Sequence, residues 1–236
     1  MTTGYNALSN SSYNTLIAGV VGSGKSTIIN GIIKYMIGLP DKAYMVLIDP
    51  KHTELLGWKD HPNALWYADE PDAIADTLLR VGDLMEMRFS RMKQKGLKVS
   101  DEPDVFVFVD EMTFLMQSKQ KKTYTELFTN ICLLGRAARI HLILCSQVST
   151  QAVIPACIRD NMVNLVVLKQ RDEQKYRYLL GKMPAGGPLP MFGYAYVLTP
   201  WMNRPAKVKS EDVWKTITDT STMDFMTGRT GLEVGA

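Results

Sequence analysis

The chain has 236 residues, of which 46% are hydrophobic and 22% charged, and its formal net charge is +3 at pH 7. This length suits one α/β domain and is tight for two, and so mild a positive charge is weak evidence for a nucleic-acid partner by itself. The polar start of the chain does not read as a signal peptide, and no stretch approaches the roughly 18 apolar residues of a membrane helix, so we expect a cytoplasmic protein with no transmembrane segment of its own.

Short apolar runs alternate with longer amphipathic segments, which is the pattern of an α/β fold with a mainly parallel sheet and helices on both faces. The apolar runs predict strands at Thr15–Ala18, Tyr44–Ile48, Leu65–Tyr67, Val105–Val109, His141–Cys145, Leu165–Leu168 and Tyr194–Leu198. Apolar residues that recur every three or four positions predict helices, over Ser26–Met36, Asp72–Lys95 and Tyr124–Ala138. We assign residues 1–205 to this domain, and residues 206–236 to a short helix near Val213 followed by a polar tail.

The cysteines indicate a reduced environment. Cys132, Cys145 and Cys157 are odd in number and form no CxxC pair or metal-ligand spacing. The first two lie in apolar runs, so we expect buried thiols rather than disulfides.

The first predicted strand leads into a phosphate-binding motif. The segment Gly19-Val-Val-Gly-Ser-Gly24-Lys25-Ser26 matches GxxxxGK[ST] and opens the first helix, as a P-loop does. Its N–H groups would surround the phosphates of ATP, Lys25 would reach the β- and γ-phosphates, and the Ser26 hydroxyl would take one position on Mg²⁺. A glycine-rich turn that matches by chance is the alternative, and the flanking strand and helix argue against it. The predicted nucleotide-binding residues are Gly19, Val20, Val21, Gly22, Ser23, Gly24, Lys25, Ser26 and Thr27.

Two later strands also end in polar residues. The apolar run Val105–Val109 is followed by Asp110 and Glu111, at the end of a strand where open α/β sheets bind ligands. We expect Asp110 to hold Mg²⁺ through water and Glu111 to act as the general base on the attacking water. Gln147 follows the next strand, and its amide could contact both the γ-phosphate and that water; a glutamine that only caps a loop is the alternative. The paired carboxylates favour an ATPase over a small-molecule kinase.

These strand ends, taken in order, resemble the FtsK/SpoIIIE branch of the FtsK–HerA superfamily of DNA-pumping motors. Leu47-Ile-Asp49-Pro50-Lys51 with Glu54-Leu55 is similar to its DPK..EL motif, and Gly135–Gln147 is similar to its RAxGIHLILATQ segment. Met85–Met92 resembles its ExxRY-like helix. The resemblance covers about Leu16–Pro200. It implies a RecA-like P-loop NTPase that forms a hexameric ring with ATP bound between subunits.

The resemblance also assigns residues that act beyond the subunit's own P-loop. Arg136 aligns with the arginine that reaches a neighbour's nucleotide, where a guanidinium would stabilise charge on the transferred phosphoryl group. A cation that only stabilises the end of a helix is the alternative. The DNA-contacting positions of the family fall on Ser146, Arg159 and Arg177, and basic residues there suit sequence-independent contacts to phosphates. Each arginine could instead be an ordinary solvated side chain.

Two departures from the family pattern affect the expected grip on DNA. Val148 and Leu165 stand where the family carries basic residues. Arg171, Lys175 and the cluster Lys119–Lys122 are candidates to compensate, although a solvated charge run is the simpler interpretation of the cluster.

The resemblance leads to a specific functional expectation. About 14 residues precede the first predicted strand and about 30 follow the last, so we expect a minimal motor of the mobile-element or phage type. It would couple ATP hydrolysis to the movement of double-stranded plasmid, conjugative-element or phage DNA, with a relaxase, a membrane or a capsid as candidate partner. The alternatives are a viral genome-packaging ATPase of the same superfamily, and an ATP-dependent switch or assembly protein that moves no DNA.

Overall fold

The computed structural model describes residues 14–38, 43–190 and 192–218. In this part of the chain, strands form one sheet with the order β3-β2-β4-β5-β1-β6-β7-β8. The strands are β1 (Thr15–Ala18), β2 (Tyr44–Ile48), β3 (Ala64–Ala68), β4 (Val105–Val109), β5 (Ile140–Ser146), β6 (Asn164–Val167), β7 (Tyr194–Leu198) and β8 (Ala206–Lys209). Strands β1 to β6 are parallel, whereas β7 is antiparallel to both β6 and β8. The predicted mainly parallel α/β fold is confirmed.

Helices cover both faces of this sheet. Among the described residues they are α1 (Lys25–Ile37), α2 (Pro71–Lys95), α3 (Met112–Met116), α4 (Lys121–Ala138), α5 (Ala156–Arg159), α6 (Glu173–Leu180) and α7 (Val213–Thr218), with 3₁₀ turns at Leu56–Trp58 and Ser210–Asp212. The predicted helices are confirmed, with starts that differ by one to three residues. Nowhere in the described ranges is a helix both long enough and apolar enough to cross a bilayer.

Strand β4 shows how the two faces are filled. Val105, Val107 and Val109 share a core with α2 and α4, while Phe106 and Phe108 share a second core with α1 and α7. All five side chains are at most 1% exposed. A strand that is buried on both faces needs no polar alternation. This explains why an uninterrupted apolar run was a reliable signal for the centre of the sheet.

The sheet continues into a strand that the sequence did not predict. Strand β8 pairs with β7, and its Lys207 and Lys209 are exposed, so only two of its four positions carry an apolar signal. Helix α7 then returns to the core, where the ring of Trp214 lies 4.8 Å from that of Tyr35 on α1. Strand β8 therefore extends the sheet, and α7 packs with α1 on one face of it. The predicted polar tail after residue 218 lies outside the described residues.

A single residue, Arg139, connects α4 to β5. Its backbone has a φ of 56°, in the left-handed region that ends helices and that few residues other than glycine adopt. Its guanidinium donates two hydrogen bonds to the carboxylate of Asp104, at 3.0 and 2.6 Å. One turn earlier, a Cβ on Gly135 would clash with the carbonyl oxygen of Ile140. Glycine at that position lets the end of α4 lie directly on the start of β5.

Polar side chains from α2 and β5 stabilise this turn. Arg88, which is buried on α2, donates hydrogen bonds to the carbonyl oxygens of Ala138 and Arg139, at 2.7 and 3.2 Å. Nε2 of His141 lies 2.9 Å from Asp104. Burial opposes ionisation of Asp104, but the hydrogen bonds from His141 and Arg139 outweigh it and lower the pKa of Asp104 to about 2. The amino-terminal end of the central strands is thus held by paired charges.

The expected state of the cysteines is confirmed within the described residues. All three are free thiols, and Cys132 and Cys145 are buried whereas Cys157 is exposed. Burial raises the pKa of Cys132 to about 12, so this thiol stays protonated and unreactive.

Candidate nucleotide-binding site

Three neighbouring strands bring Lys25, Glu111 and Gln147 to one edge of the sheet. Strands β4, β5 and β1 are adjacent and parallel, so their carboxyl ends meet at a common edge, which we call the carboxyl edge. Strand β1 leads into the P-loop and Lys25, β4 into Asp110 and Glu111, and β5 into Gln147. The opposite edge, where these strands begin, is called the amino edge. Ligands of open α/β sheets bind at carboxyl edges.

The P-loop has the backbone shape of an anion cradle. Gly22 and Gly24 have φ values of 72° and 103°, which a residue with a Cβ rarely adopts. The loop is anchored by hydrogen bonds from Gly19 N to the carbonyl of Ser146 and from Val20 N to that of Lys169, both at 3.0 Å. No side chain caps the start of α1, where Gly24 is the first flanking residue. The first N–H groups of α1 therefore remain available to a phosphate.

Lys25 lies folded back onto its own loop. Its Nζ donates hydrogen bonds to the carbonyl oxygens of Gly19 and Val20, at 2.8 and 3.0 Å, and the residue is only 9% exposed. Burial lowers the pKa of Lys25, and the negative charges of Glu111 and Asp110 are among the groups that oppose this shift. The amine is thus held by neutral acceptors, which phosphate oxygens can replace with stronger, charge-assisted bonds.

Asp110 lies in a region with an excess of negative charge. Burial raises its pKa to about 7, and the carboxylates of Asp49, Glu54 and Glu111 add to the effect. A divalent cation would remove the cost of ionising this group, and Mg²⁺ in nucleotide sites takes one or two protein oxygens besides phosphate and water. The environment of Asp110 therefore fits a Mg²⁺ ligand, the role expected for it together with Ser26.

Glu111 connects three of the motifs in the sequence. Its side chain is 2% exposed, and its Oε2 lies 3.0 Å from Nζ of Lys51. Its Oε1 accepts hydrogen bonds from the N–H groups of Thr113 and Gln147, at 3.0 and 3.3 Å. The carboxylate is therefore fully partnered in this structure.

Sequence reasoning placed Lys51 in a motif but gave it no role in the site. The signal that could have found it is the position of the motif, at the carboxyl end of β2, because β2 is the direct neighbour of β4.

Arg136 lies far from this site within the subunit. It is exposed on the last turn of α4, at the amino edge, whereas Gln147 follows β5 at the carboxyl edge. The seven residues of β5 separate the two edges by about 20 Å. The structure therefore does not bring Arg136 together with Lys25, Asp110 and Glu111 of the same chain.

The predicted DNA-contacting residues divide into two groups. Ser146 is fully buried, and its hydroxyl donates a hydrogen bond to the carbonyl oxygen of Val148, at 2.9 Å. Arg159 and Arg177 instead line one cleft of about 520 Å³, together with Tyr178. The guanidinium of Arg159 lies 4.5 Å from the ring centre of Tyr178, while 58% of the Arg177 side chain is exposed. The two arginines lie together, and Ser146 is not accessible in this conformation.

Comparison with known proteins supports the resemblance that the sequence shows. The FtsK/SpoIIIE family model matches residues 5–104. The DNA translocase FtsK of Treponema pallidum (strain Nichols) is 28% identical over 188 residues, which are 72% of this chain and 23% of the relative. The DNA translocase SpoIIIE of Bacillus subtilis (strain 168) is 28% identical over 187 residues, 70% of this chain and 24% of the relative. The chain thus spans about a quarter of the length of these relatives.

Solved structures support the fold. The pCW3 conjugation coupling protein TcpA, in its monomer form with ATPγS, aligns with a TM-score of 0.73 at 20% identity, over 92% of this chain and 66% of that one. The genome packaging NTPase B204 from Sulfolobus turreted icosahedral virus 2 aligns with a TM-score of 0.55 at 15% identity, over 84% and 97%. These identities establish the fold alone. With the family match and the curated relatives, the resemblance to the FtsK/SpoIIIE family seen in the sequence is confirmed.

Proposed function

We propose that this chain is the ATPase motor of a DNA translocase, in which ATP hydrolysis is coupled to the movement of DNA. The observation that carries the proposal is the arrangement of the P-loop, Asp110, Glu111 and Gln147 on one edge of the sheet. Its relatives of the FtsK/SpoIIIE family bear the name DNA translocase, which supports DNA as the substrate that is moved.

ATP binding would use the groups that the P-loop holds ready. The N–H groups of the loop and of the first turn of α1 bind the phosphates, and Lys25 exchanges the carbonyls of Gly19 and Val20 for phosphate oxygens. Mg²⁺, when bound, would neutralise phosphate charge, and Ser26 and Asp110 are the residues that would hold it.

Hydrolysis requires a base near the γ-phosphate, and Glu111 is the residue we assign to this role. It accepts a proton from water as the water oxygen attacks phosphorus and the bond to ADP breaks. To do so, Oε2 of Glu111 must first leave Nζ of Lys51. The Gln147 side chain would orient the same water, and its N–H already contacts Oε1 of the base.

Assembly into a ring would complete the site. Arg136 is exposed at the amino edge, where it can reach only a nucleotide of another subunit. This position supports a homo-oligomer, and the resemblance to the family makes a hexamer the specific expectation. An isolated subunit would then be a poor ATPase.

DNA binding would rest on contacts to the phosphate backbone of double-stranded DNA. Arg159 and Arg177 remain the candidate contacts, whereas the burial of Ser146 removes its side chain from the DNA-facing set in this conformation.

We place the motor in the cytoplasm. The similarity to TcpA favours the DNA of a conjugative element, and the similarity to B204 keeps genome packaging as the second candidate.

The test is the ATPase rate with and without double-stranded or single-stranded DNA, measured together with native mass. We expect turnover that rises with DNA and with protein concentration, and that is lost in Lys25→Ala. Lys34→Ala, an exposed lysine on the same helix, is the matched control and should keep the parent rate. An ATPase that ignores DNA would favour the switch or assembly alternative, and constant activity per subunit under dilution to a monomer would remove the ring.

A further inference from the structure

A second basic region lies beside the cleft of Arg159 and Arg177. A cavity of about 870 Å³ opens between the segment that follows α6 and the turn that joins β7 to β8. Lys182, Arg204 and Lys207 are among the residues that line it, and none of its described lining residues is acidic. We call these three residues the basic triad.

The basic triad differs from Arg159 and Arg177 in ion pairing. All three side chains are exposed, and within the described ranges none of them forms an ion pair. Arg159, by contrast, is paired with Asp160 at 2.7 Å, and Arg177 contacts Glu173 at 3.5 Å. A phosphate can therefore approach the triad without displacing a carboxylate, which makes these cations the less costly ones to use.

The cavity and the cleft are neighbours. Gly181 lines the cleft and the next residue, Lys182, lines the cavity. Leu165, at the start of β6, lies in the cleft, and β7 is antiparallel to β6, so the turn after β7 lies at the same end of the sheet. Both basic regions therefore face outward near the amino edge.

We propose that the basic triad binds the phosphate backbone of DNA and extends the surface that begins with Arg159 and Arg177. This inference rests on the proposed function. Exposed cations on two separate segments suit a long polyanion, whose binding releases counterions and reads no base sequence. The triad would supply the positive charge that is missing at Leu165, which lies at the same end of the sheet and stands where the family pattern carries a basic residue.

The experiment compares two variants that lose the same charge. One carries Lys182→Gln, Arg204→Gln and Lys207→Gln. The matched control carries Lys59→Gln, Lys93→Gln and Lys98→Gln, three exposed lysines that line neither the cavity nor the cleft. Binding of a duplex is measured over a salt series for parent and both variants, with melting temperature as the folding control. We expect the slope of log K against log salt to shrink by about 0.9 for each phosphate that the triad variant no longer neutralises, equally for unrelated duplex sequences. The control should keep the parent slope.

Three other outcomes would overturn the inference alone, and a fourth would overturn the proposed function as well. A triad variant with the parent slope would overturn the inference while leaving the proposed function intact. Equal losses in both variants would reduce the effect to net charge and would also overturn it. If an acidic peptide such as polyglutamate binds the parent but not the triad variant, while duplex binding is equal in both, the cavity is a protein-docking site instead. A parent that binds no duplex at about 50 mM salt would overturn the proposed function and the inference with it.

Discussion

The two edges of the central sheet use charge in opposite ways. At the carboxyl edge, Asp110, Glu111 and Lys25 are buried, and their interactions cross from one strand to the next. At the amino edge, Asp104 and Arg139 satisfy each other around a turn, and Arg136 is left exposed. Buried charges that lack full compensation are costly unless a ligand completes them. The comparison indicates that the carboxyl edge is built for a ligand and the amino edge for rigidity, while contacts of Arg136 with another subunit belong to the proposed function.

The strongest test of this division is Arg136→Ala. If Arg136 serves a neighbour, ATP affinity should stay near that of the parent while turnover falls by a factor on the order of 10³, because a charge that stabilises the phosphoryl group in flight is missing. Arg80→Ala, an exposed arginine on α2, is the control. Turnover and nucleotide affinity are measured separately.

A mixture of two inactive variants gives a second test of whether Arg136 acts on a neighbouring subunit. Arg136→Ala and Lys25→Ala fail for different reasons, so in mixed rings some interfaces combine an intact P-loop with an intact Arg136. Partial activity should then return. Normal hydrolysis by Arg136→Ala alone would show that this residue only stabilises the end of α4.

At the carboxyl edge, Glu111→Gln should remove the base and keep the binding site. We expect turnover to fall by roughly 10² or more, with ATP retained on the protein, because general bases contribute rate factors of that size. Retained nucleotide is measured by rapid filtration, and turnover by phosphate release. Glu126→Gln, an exposed glutamate on α4, should behave like the parent. Parent-like turnover in Glu111→Gln would transfer the role of base to another residue.

At the amino edge, Asp104→Asn should affect stability and leave ATP affinity unchanged. The pKa of Asp104 is about 2 in the folded chain against an ordinary 3.8, so its ionised form stabilises the fold. This contribution, on the order of 2 kcal/mol, is complete above pH of about 4 and is lost as the pH falls through about 2. Urea midpoints should therefore drop at pH 7 and depend less on pH in the acid range than those of the parent. Weaker ATP binding at pH 7 would contradict the separation of the two edges.

The smallest expected effect concerns Lys51. Lys51→Met removes the partner of Glu111 Oε2, so we expect a rise of several-fold in the ATPase rate without DNA and a smaller stimulation by DNA. Lys59→Met, another exposed lysine of the same loop region, is the control. Equal losses of activity with and without DNA would mean instead that Lys51 itself supports the chemistry.

The features that the sequence predicted are those encoded by neighbouring residues. The all-apolar run of β4 and the spacing of the P-loop are local patterns, and both were located correctly. Strand β8 was missed because its lysines leave too few apolar positions to form a pattern. The contact between Lys51 and Glu111 could not be read from the chain, since the residues are 60 positions apart and meet only because β2 pairs with β4.

The one-residue connection between α4 and β5 has a mechanical consequence. Most helix-to-strand connections are longer and can absorb small displacements. Here Gly135 lets the helix contact the strand directly, and Arg139 is hydrogen-bonded to Asp104. Strand β5 pairs with β4 over Ile140–Leu144 and with β1 over Ile143–Ser146, so every residue has at least one paired neighbour and the strand resists bending. We therefore expect the end of α4, Arg139 and β5 to move as one rigid unit, with Arg136 at one end and Gln147 at the other. A glycine inserted after Arg139 would make this connection flexible, so that Arg136 and Gln147 could move independently.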